Sequence, residues 1–148
     1  MAYPALVQLA SETEYRTRFE AIYCTGTVQT FDGIAVRFRK HQFDHCFFES
    51  SRRDGAKDQF STKRAERIDW IKAALEDSNG ERYHGWDKKR KRYDASRRVT
   101  IVMGNYVVVI ALKGQQLADF VTAYVADKPS KPGRPSTVDM IRRGPRCA

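Results

Sequence analysis

Six side chains in this sequence have chemistry suited to a phosphodiester: His45, Glu49, Arg64, Arg67, Thr122 and Tyr124. Cleaving RNA without a metal takes a base for the 2′-hydroxyl proton, an acid for the leaving 5′-oxygen and cations for the dianionic phosphorane. His45 can serve as acid or base, since unperturbed imidazole titrates near neutrality. Glu49 is a second proton acceptor. Arg64 and Arg67 can hold a phosphate through paired N–H donors. Thr122 and Tyr124, two apart in a strand-like run, put a hydroxyl and a phenol on one face, able to bond non-bridging oxygens or orient a ribose. These groups matter only if the segments that carry them converge.

Each residue also has a plainer reading. His45 lies among aromatics and can be a satisfied, partly buried histidine. His41 and His84 read as surface residues. Arg64 and Arg67 can pair with Glu66 or Asp69 on a helix surface, where such contacts are worth only ~0–1 kcal/mol. Thr122 suits a strand by propensity alone, and Tyr124 can sit in a core with its hydroxyl at the rim.

The charge is less easily set aside. The chain has 27 Lys and Arg against 18 Asp and Glu, a net +9, and clustered cations favour polyanionic partners by releasing counterions from phosphates. Lys88, Lys89, Arg90, Lys91 and Arg92 form one unbroken run. Trp86 and Tyr93 flank it, with Tyr83 nearby, and can stack on bases at about 1–3 kcal/mol each or bury against a sheet.

A length of 148 residues suits one domain with a substantial core. The longest apolar run, 106–112, is far shorter than the roughly 20 residues that span a bilayer, and the first residues lack a basic n-region and an apolar h-region. Cys24, Cys46 and Cys147 are odd in number and widely spaced, which favours free thiols and a reducing cytoplasm over a disulfide framework. No CxxC or HExxH arrangement occurs, so neither a structural zinc nor another cofactor is implied.

The positioning elements follow from pattern. Ser11 and Glu14 have capping-box spacing, and Tyr15, Phe19, Ile22 and Tyr23 recur on one helical face, in a helix ending near Gly26. Asp32-Gly33 between 28–31 and 34–39 reads as a two-residue type I′ hairpin, with Ile34, Val36 and Phe38 inward and Ala35, Arg37 and Arg39 outward. Residues 41–49 are ambiguous between strand and short helix. Residues 50–59 read as a charged loop. Ser61 or Thr62 caps a second helix to about Asp77, striped by Ala65, Ile68, Ile71 and Leu75, with Arg64 and Arg67 on neighbouring surface positions and Asn79-Gly80 ending it. Three strands follow at 99–103, 106–112 and 117–125, with Gly104-Asn105 as a type II′ turn. The middle one lacks alternation and is expected to be central and covered on both faces. The expected fold is α+β: an antiparallel sheet, made of a C-terminal meander plus an N-terminal hairpin, packed with two helices over residues 1–127. Residues 128–148, with four prolines and six cations, read as a disordered basic tail.

The motif string Phe43-Asp-His45, then Phe60-Ser-Thr-Lys-Arg64-Ala65-Glu-Arg67-Ile-Asp-Trp70-Ile71, then Phe120-Val-Thr122-Ala-Tyr124 resembles the barnase, EndoU, colicin-type tRNase and RelE superfamily of small ribonucleases. The likeness is greatest to its phage- and mobile-element-associated members. It covers residues 34–126. The resemblance implies toxin-like, metal-independent cleavage of RNA, tRNA among the substrates, with His45, Arg64, Thr122 and Tyr124 at the site and a cognate inhibitor protein as partner. The N-terminal helix, the Asp32-Gly33 hairpin and the strength of the Lys88–Arg92 cluster depart from the minimal pattern. A chain this short leaves no room for a delivery domain, which favours action inside the producing cell. Two other classes of function suit the same residues: a non-catalytic nucleic-acid-binding module, and a protein-binding regulator that covers an acidic surface.

Overall fold

Secondary structure and packing were taken from a computed structural model, which describes residues 4–26, 28–49, 59–87, 91–126 and Ile141, the side chains of 85–87 and 92–98 excepted. The tail expected over 128–148 lies outside the described residues apart from Ile141.

The chain opens with α1 (Glu12–Phe19), capped by the Ser11 side chain, which accepts from the Glu14 amide at 3.3 Å. The Glu14 carboxylate reaches back one residue further than a capping box requires, accepting from the Ala10 amide at 2.7 Å. A π-helical turn, Glu20–Cys24, follows directly, so the helix does not run to Gly26 in α form. Tyr15, Phe19 and Tyr23 are buried along one face.

Strands β1 (Val28–Gln29) and β2 (Ala35–Arg37) pair antiparallel. Their connection is wider than the expected type I′ turn. The Gly33 amide donates to Thr30 O at 3.0 Å and the Thr30 amide to Ile34 O at 2.8 Å. Gly33 has φ +89° while Asp32 is not left-handed, whereas type I′ needs both central residues there. The Thr30 hydroxyl bonds the Asp32 carboxylate and accepts from the Ile34 amide, which pins the longer loop.

The ambiguous segment resolves into α2 (Gln42–Phe47) followed by β3 (Phe48–Glu49). Gln42, Phe43, Cys46 and Phe47 are buried, a helical spacing. Strand β4 (Gln59–Phe60) pairs with β3, so Gln59 belongs to a strand rather than to the expected loop. The rest of that loop, 50–58, lies outside the described residues.

The single second helix is two: α3 (Thr62–Ala65) and α4 (Ile68–Glu76). Ser61 caps the first through the Arg64 amide at 3.2 Å, and Arg67, with φ −96° and ψ 19°, breaks the helix between them. Ala65, Ile68, Ile71 and Leu75 are each 0% exposed, so the expected stripe survives the break. α4 ends at Glu76, within one residue of the expected Asp77, and extended Asp77 (ψ 110°) takes the Asn79 amide on its carboxylate at 2.9 Å.

Four longer strands complete the fold: β5 (Glu81–Asp87), β6 (Arg92–Met103), β7 (Tyr106–Leu112) and β8 (Leu117–Val125). The main sheet has the order β1-β2-β8-β7-β6-β5. Gly104 takes φ +64° in the β6–β7 turn while Asn105 stays right-handed, consistent with type II′. β7 lies between β8 and β6 and buries residues of both faces. The sheet is antiparallel except at one junction: β2 pairs parallel with β8, Val36 opposite Ala118. The α+β class holds, but the N-terminal hairpin joins the meander by a parallel seam.

Two clusters sit on opposite faces. On the inner face the helices pack Phe19, Tyr23, Phe43, Phe47, Ile71 and Leu75 against Ile101, Val108, Ile110 and Phe120. On the outer face Tyr83, Val102, Val107 and Ala126 form a smaller cluster, with Val109, Tyr124 and Ile141 packed against it.

Candidate active site

Cross-strand partners in a ladder point to the same face of a sheet. Thr122 pairs with Val109, and Val109 with Thr100, which pairs with Tyr83. One row down, Tyr124 pairs with Val107, Val107 with Val102, and Val102 with Glu81. Thr122 and Tyr124 therefore share a face, as their spacing anticipates, and it is the outer face. The helices that carry His45 and Arg64 pack on the inner one.

What reconciles the two sides is an edge. β2 pairs with β8 only as far as Asp119. Beyond that point α2 takes over the β8 flank: Gln42 Nε2 donates to Phe120 O while Gln42 Oε1 accepts from the Arg39 amide at 2.8 Å. A bulge falls in β8 at this place, the register slipping between Val109 and Ile110 so that Val121 has no ladder partner. Bulges re-aim side chains and often mark functional edges. This one returns Ala123 to the inner cluster after Phe120 and leaves Thr122 and Tyr124 outside.

At the seam between α2, α3 and β8 lies a crevice lined by Cys46, Phe47, Arg64, Tyr106 and Tyr124, closed in this conformation too tightly to admit a water molecule. Arg64 enters it from α3. Its Nη1 donates to Phe48 O at 3.4 Å, and its Nε stands 3.8 Å from Glu49 Oε2, with the two side chains 33% and 45% exposed. A guanidinium one-third exposed to solvent, whose partners among the described residues are a carbonyl and a loosely held carboxylate, has donors suited to an anion. Tyr106 at the crevice floor is fully buried, and burial pushes its phenol well above the usual tyrosine range, so it stays neutral there.

The other expected residues fall in three groups. His45 sits on α2 next to crevice-lining Cys46, and it is exposed, not enclosed among aromatics. Arg67 parts from Arg64 at the helix break: its guanidinium lies 5.1 Å over the Trp70 ring and donates to Lys63 O. Equal spacing on one continuous helix does not describe these two arginines. Of the basic run, Lys91 and Arg92 are described, at the turn and the first residue of β6 on the β5–β6 side of the sheet. Three strand spacings, roughly 14 Å, separate β5 from β8. The hairpin ladder continues through Trp86 opposite Tyr93 to Asp87 opposite Arg92, past Arg98, the last residue of β6 to pair with β7. Exposed Lys91 has φ 52° in the turn, while Lys88, Lys89 and Arg90 lie outside the described residues. Tyr83 is only 6% exposed and bonds Glu81 Oε1 at 2.6 Å, so it is buried on the outer face rather than free to stack.

Sequence reasoning missed Gln42, Cys46 and Tyr106. Gln42 ties α2 to the β8 backbone, and no local pattern marks a glutamine for that role. Cys46 and Tyr106 fall on apolar periodicities and are indistinguishable there from ordinary core residues. Among the described residues no group of three or more His, Cys, Asp or Glu is placed to hold a metal ion, and no helix is long and apolar enough to cross a membrane. No family model matches the chain, and no curated protein or solved structure matches it either.

Proposed function

We propose that the chain is a metal-independent endoribonuclease working at the α2-lined edge of β8. The observation that carries this reading is the crevice where Arg64, with Glu49 at 3.8 Å, meets Tyr124 beside the helix that bears exposed His45. In the proposed reaction the 2′-oxygen attacks phosphorus as the Glu49 carboxylate takes its proton. The bond from phosphorus to the 5′-oxygen breaks as His45 protonates that oxygen, giving a 2′,3′-cyclic phosphate and a 5′-hydroxyl. Arg64 stabilises the charge that builds on the non-bridging oxygens, and Thr122 and Tyr124 steady the phosphate or ribose from the outer side of the edge. The basic β5–β6 hairpin supplies affinity for the flanking backbone, with tRNA among the substrates. A toxin-like role, with a cognate inhibitor protein over this edge, follows from the same reading.

The test is incubation of the purified protein with labelled total tRNA and with single-stranded DNA in EDTA. RNA fragments with cyclic phosphate ends, absent for His45→Ala and Arg64→Ala, are expected. Cleavage unchanged in both variants would overturn the site.

One observation favours a second reading. The ladder turns Thr122 and Tyr124 to the face opposite the helices, and a chain that only binds nucleic acid needs no convergence with His45. Intact RNA in a complex that weakens steeply with salt, lost on neutralising 88–92, would establish that reading instead.

A further inference from the structure

The outer face of the sheet is covered in one part and open in another. Over β6 and β7 it is covered: Val107 is 0% exposed, Val102 1% and Thr100 7%. Along the β2–β8 seam it is open: Leu117 is 40% exposed, and Arg37 and Arg39 are both exposed. Ile34, Val36 and Phe38 turn to the inner cluster, as do Ala118 and Phe120 of β8. The residues that alternate with them therefore line the open strip. Half-buried Thr122 and Tyr124 continue it along β8 on the same face.

The two arginines of this strip differ in their partners. Arg37 lies opposite Asp119 in the ladder, and its Nε donates to that carboxylate at 2.9 Å, so its charge is matched. Arg39 has no ion-pair partner among the described residues. Its backbone, by contrast, is fixed. The Arg39 amide donates to Gln42 Oε1 at 2.8 Å, while Gln42 Nε2 donates to Phe120 O. One glutamine side chain thus links the backbone of Arg39 to that of β8, one residue before the bulge at Val121 and two before Thr122. A cation with an unmatched charge stands where the hydroxyls of the proposed site begin.

We infer that Arg39 binds a backbone phosphate of the RNA, the one next to the phosphate at Thr122 and Tyr124. This rests on the reading of the β8 edge as an RNA site. The paired N–H donors of a guanidinium suit a phosphate, and contacts to flanking phosphates fix the register of a strand without reading its sequence. On this side of the site the RNA backbone follows the open β2–β8 strip. Gln42 then has two consequences: it sets α2 against β8, and it sets Arg39 beside Thr122.

The test measures binding of a single-stranded, tRNA-derived oligonucleotide with 2′-deoxy sugars, which cannot be cleaved by 2′-oxygen attack, at several salt concentrations. It uses the full chain and its Arg39→Ala, Arg39→Lys and Lys72→Ala variants. Arg39→Ala keeps the backbone amide that Gln42 holds, so the fold is undisturbed. Lys72 is an exposed cation of α4, in the helical layer on the other side of the sheet, and its loss removes the same charge elsewhere. Arg39→Ala should weaken binding about tenfold at low salt and lower the slope of log affinity against log salt by about 0.7, the share of one phosphate contact on a single strand. Arg39→Lys should restore the slope and part of the affinity, and Lys72→Ala should stay close to the parent. In RNA cleavage Arg39→Ala should raise KM and leave kcat, because a flanking contact is made equally in the ground and transition states. Unchanged affinity and slope in Arg39→Ala, or an equal loss in Lys72→Ala, would overturn the role of Arg39 and leave the ribonuclease reading to its own cleavage test. A parent that neither binds the oligonucleotide nor cleaves RNA would overturn both.

Discussion

The two faces of the sheet are built on different principles. The inner face is closed by aromatic interlocking: Phe19 packs edge-on to Phe38, Phe43 and Phe47 at 5.9–6.1 Å, and Phe38 stacks on Phe120 at 4.6 Å. The outer face has aliphatic Val102 and Val107 in one row with Tyr124, and Thr122, Val109, Thr100 and Tyr83 in the next. The inner face is committed to stability. The outer face mixes apolar ground with hydroxyls, and such surfaces can exchange one partner for another. The proposed site lies where the two meet, at the flank of β8 that α2 lines beyond Asp119.

Several substitutions would break or sharpen this contrast. Phe19→Ala should cost about 3–5 kcal/mol in a denaturant melt, since it empties the centre of the aromatic cluster. A loss below ~1 kcal/mol would mean the inner face is not the main core. Arg64→Ala should reduce RNA cleavage at least ~100-fold, a typical cost for one donor to a developing charge, and leave the melt nearly unchanged. Arg67→Ala should leave cleavage close to the parent rate. Equal losses for both arginines would erase the distinction made by the helix break.

Alkaline titration probes the inner face differently. Burial raises the phenols of Tyr23 and Tyr106 above the usual range. Groups with raised folded values stabilise fully below the unfolded value and lose that contribution as pH climbs beyond it. Stability should therefore be level up to about pH 10 and then fall by about 1.4 kcal/mol per pH unit for each such group. Absorbance near 295 nm should show these two phenols ionising only with unfolding; ionisation in the intact fold would put water inside the core. On the outer face, Val107→Ala should cost only about 1–2 kcal/mol, and a loss as large as that of Phe19→Ala would make the faces equals. Least costly is Arg18→Ala. It removes a two-pronged contact with Asp69 at 2.7 and 3.0 Å, but with the arginine 39% exposed the change should stay near ~0–1 kcal/mol.

Local signals in the sequence were legible because their causes are local. Ser11 and Ser61 cap the helices expected of them, Ala65, Ile68, Ile71 and Leu75 face inward, and Gly104 turns the β6–β7 hairpin. Features set by distant partners were not. Nothing around Val36 announces a parallel partner eighty residues away, and nothing around Arg67 shows that the helix must break there to keep both halves on the core. The candidate site shows the same division. The chemistry of Arg64, Glu49 and Tyr124 was visible as residue types. The crevice shared by Arg64 and Tyr124 depends on the bulge at Val121 and on Gln42 holding α2 to β8, and both belong to tertiary structure.

The parallel seam between β2 and β8 has a consequence for synthesis. While the chain emerges from the ribosome, the N-terminal hairpin has no further strand to pair with until residues 117–119 have also emerged, since Ala35, Val36 and Arg37 find their partners there. Contacts so distant in sequence form late and slowly. A nascent chain stopped short of β8 would thus have neither the strand that carries Thr122 and Tyr124 nor the flank on which α2 docks, and the proposed cleavage of RNA could not begin on the message being translated until β8 was out.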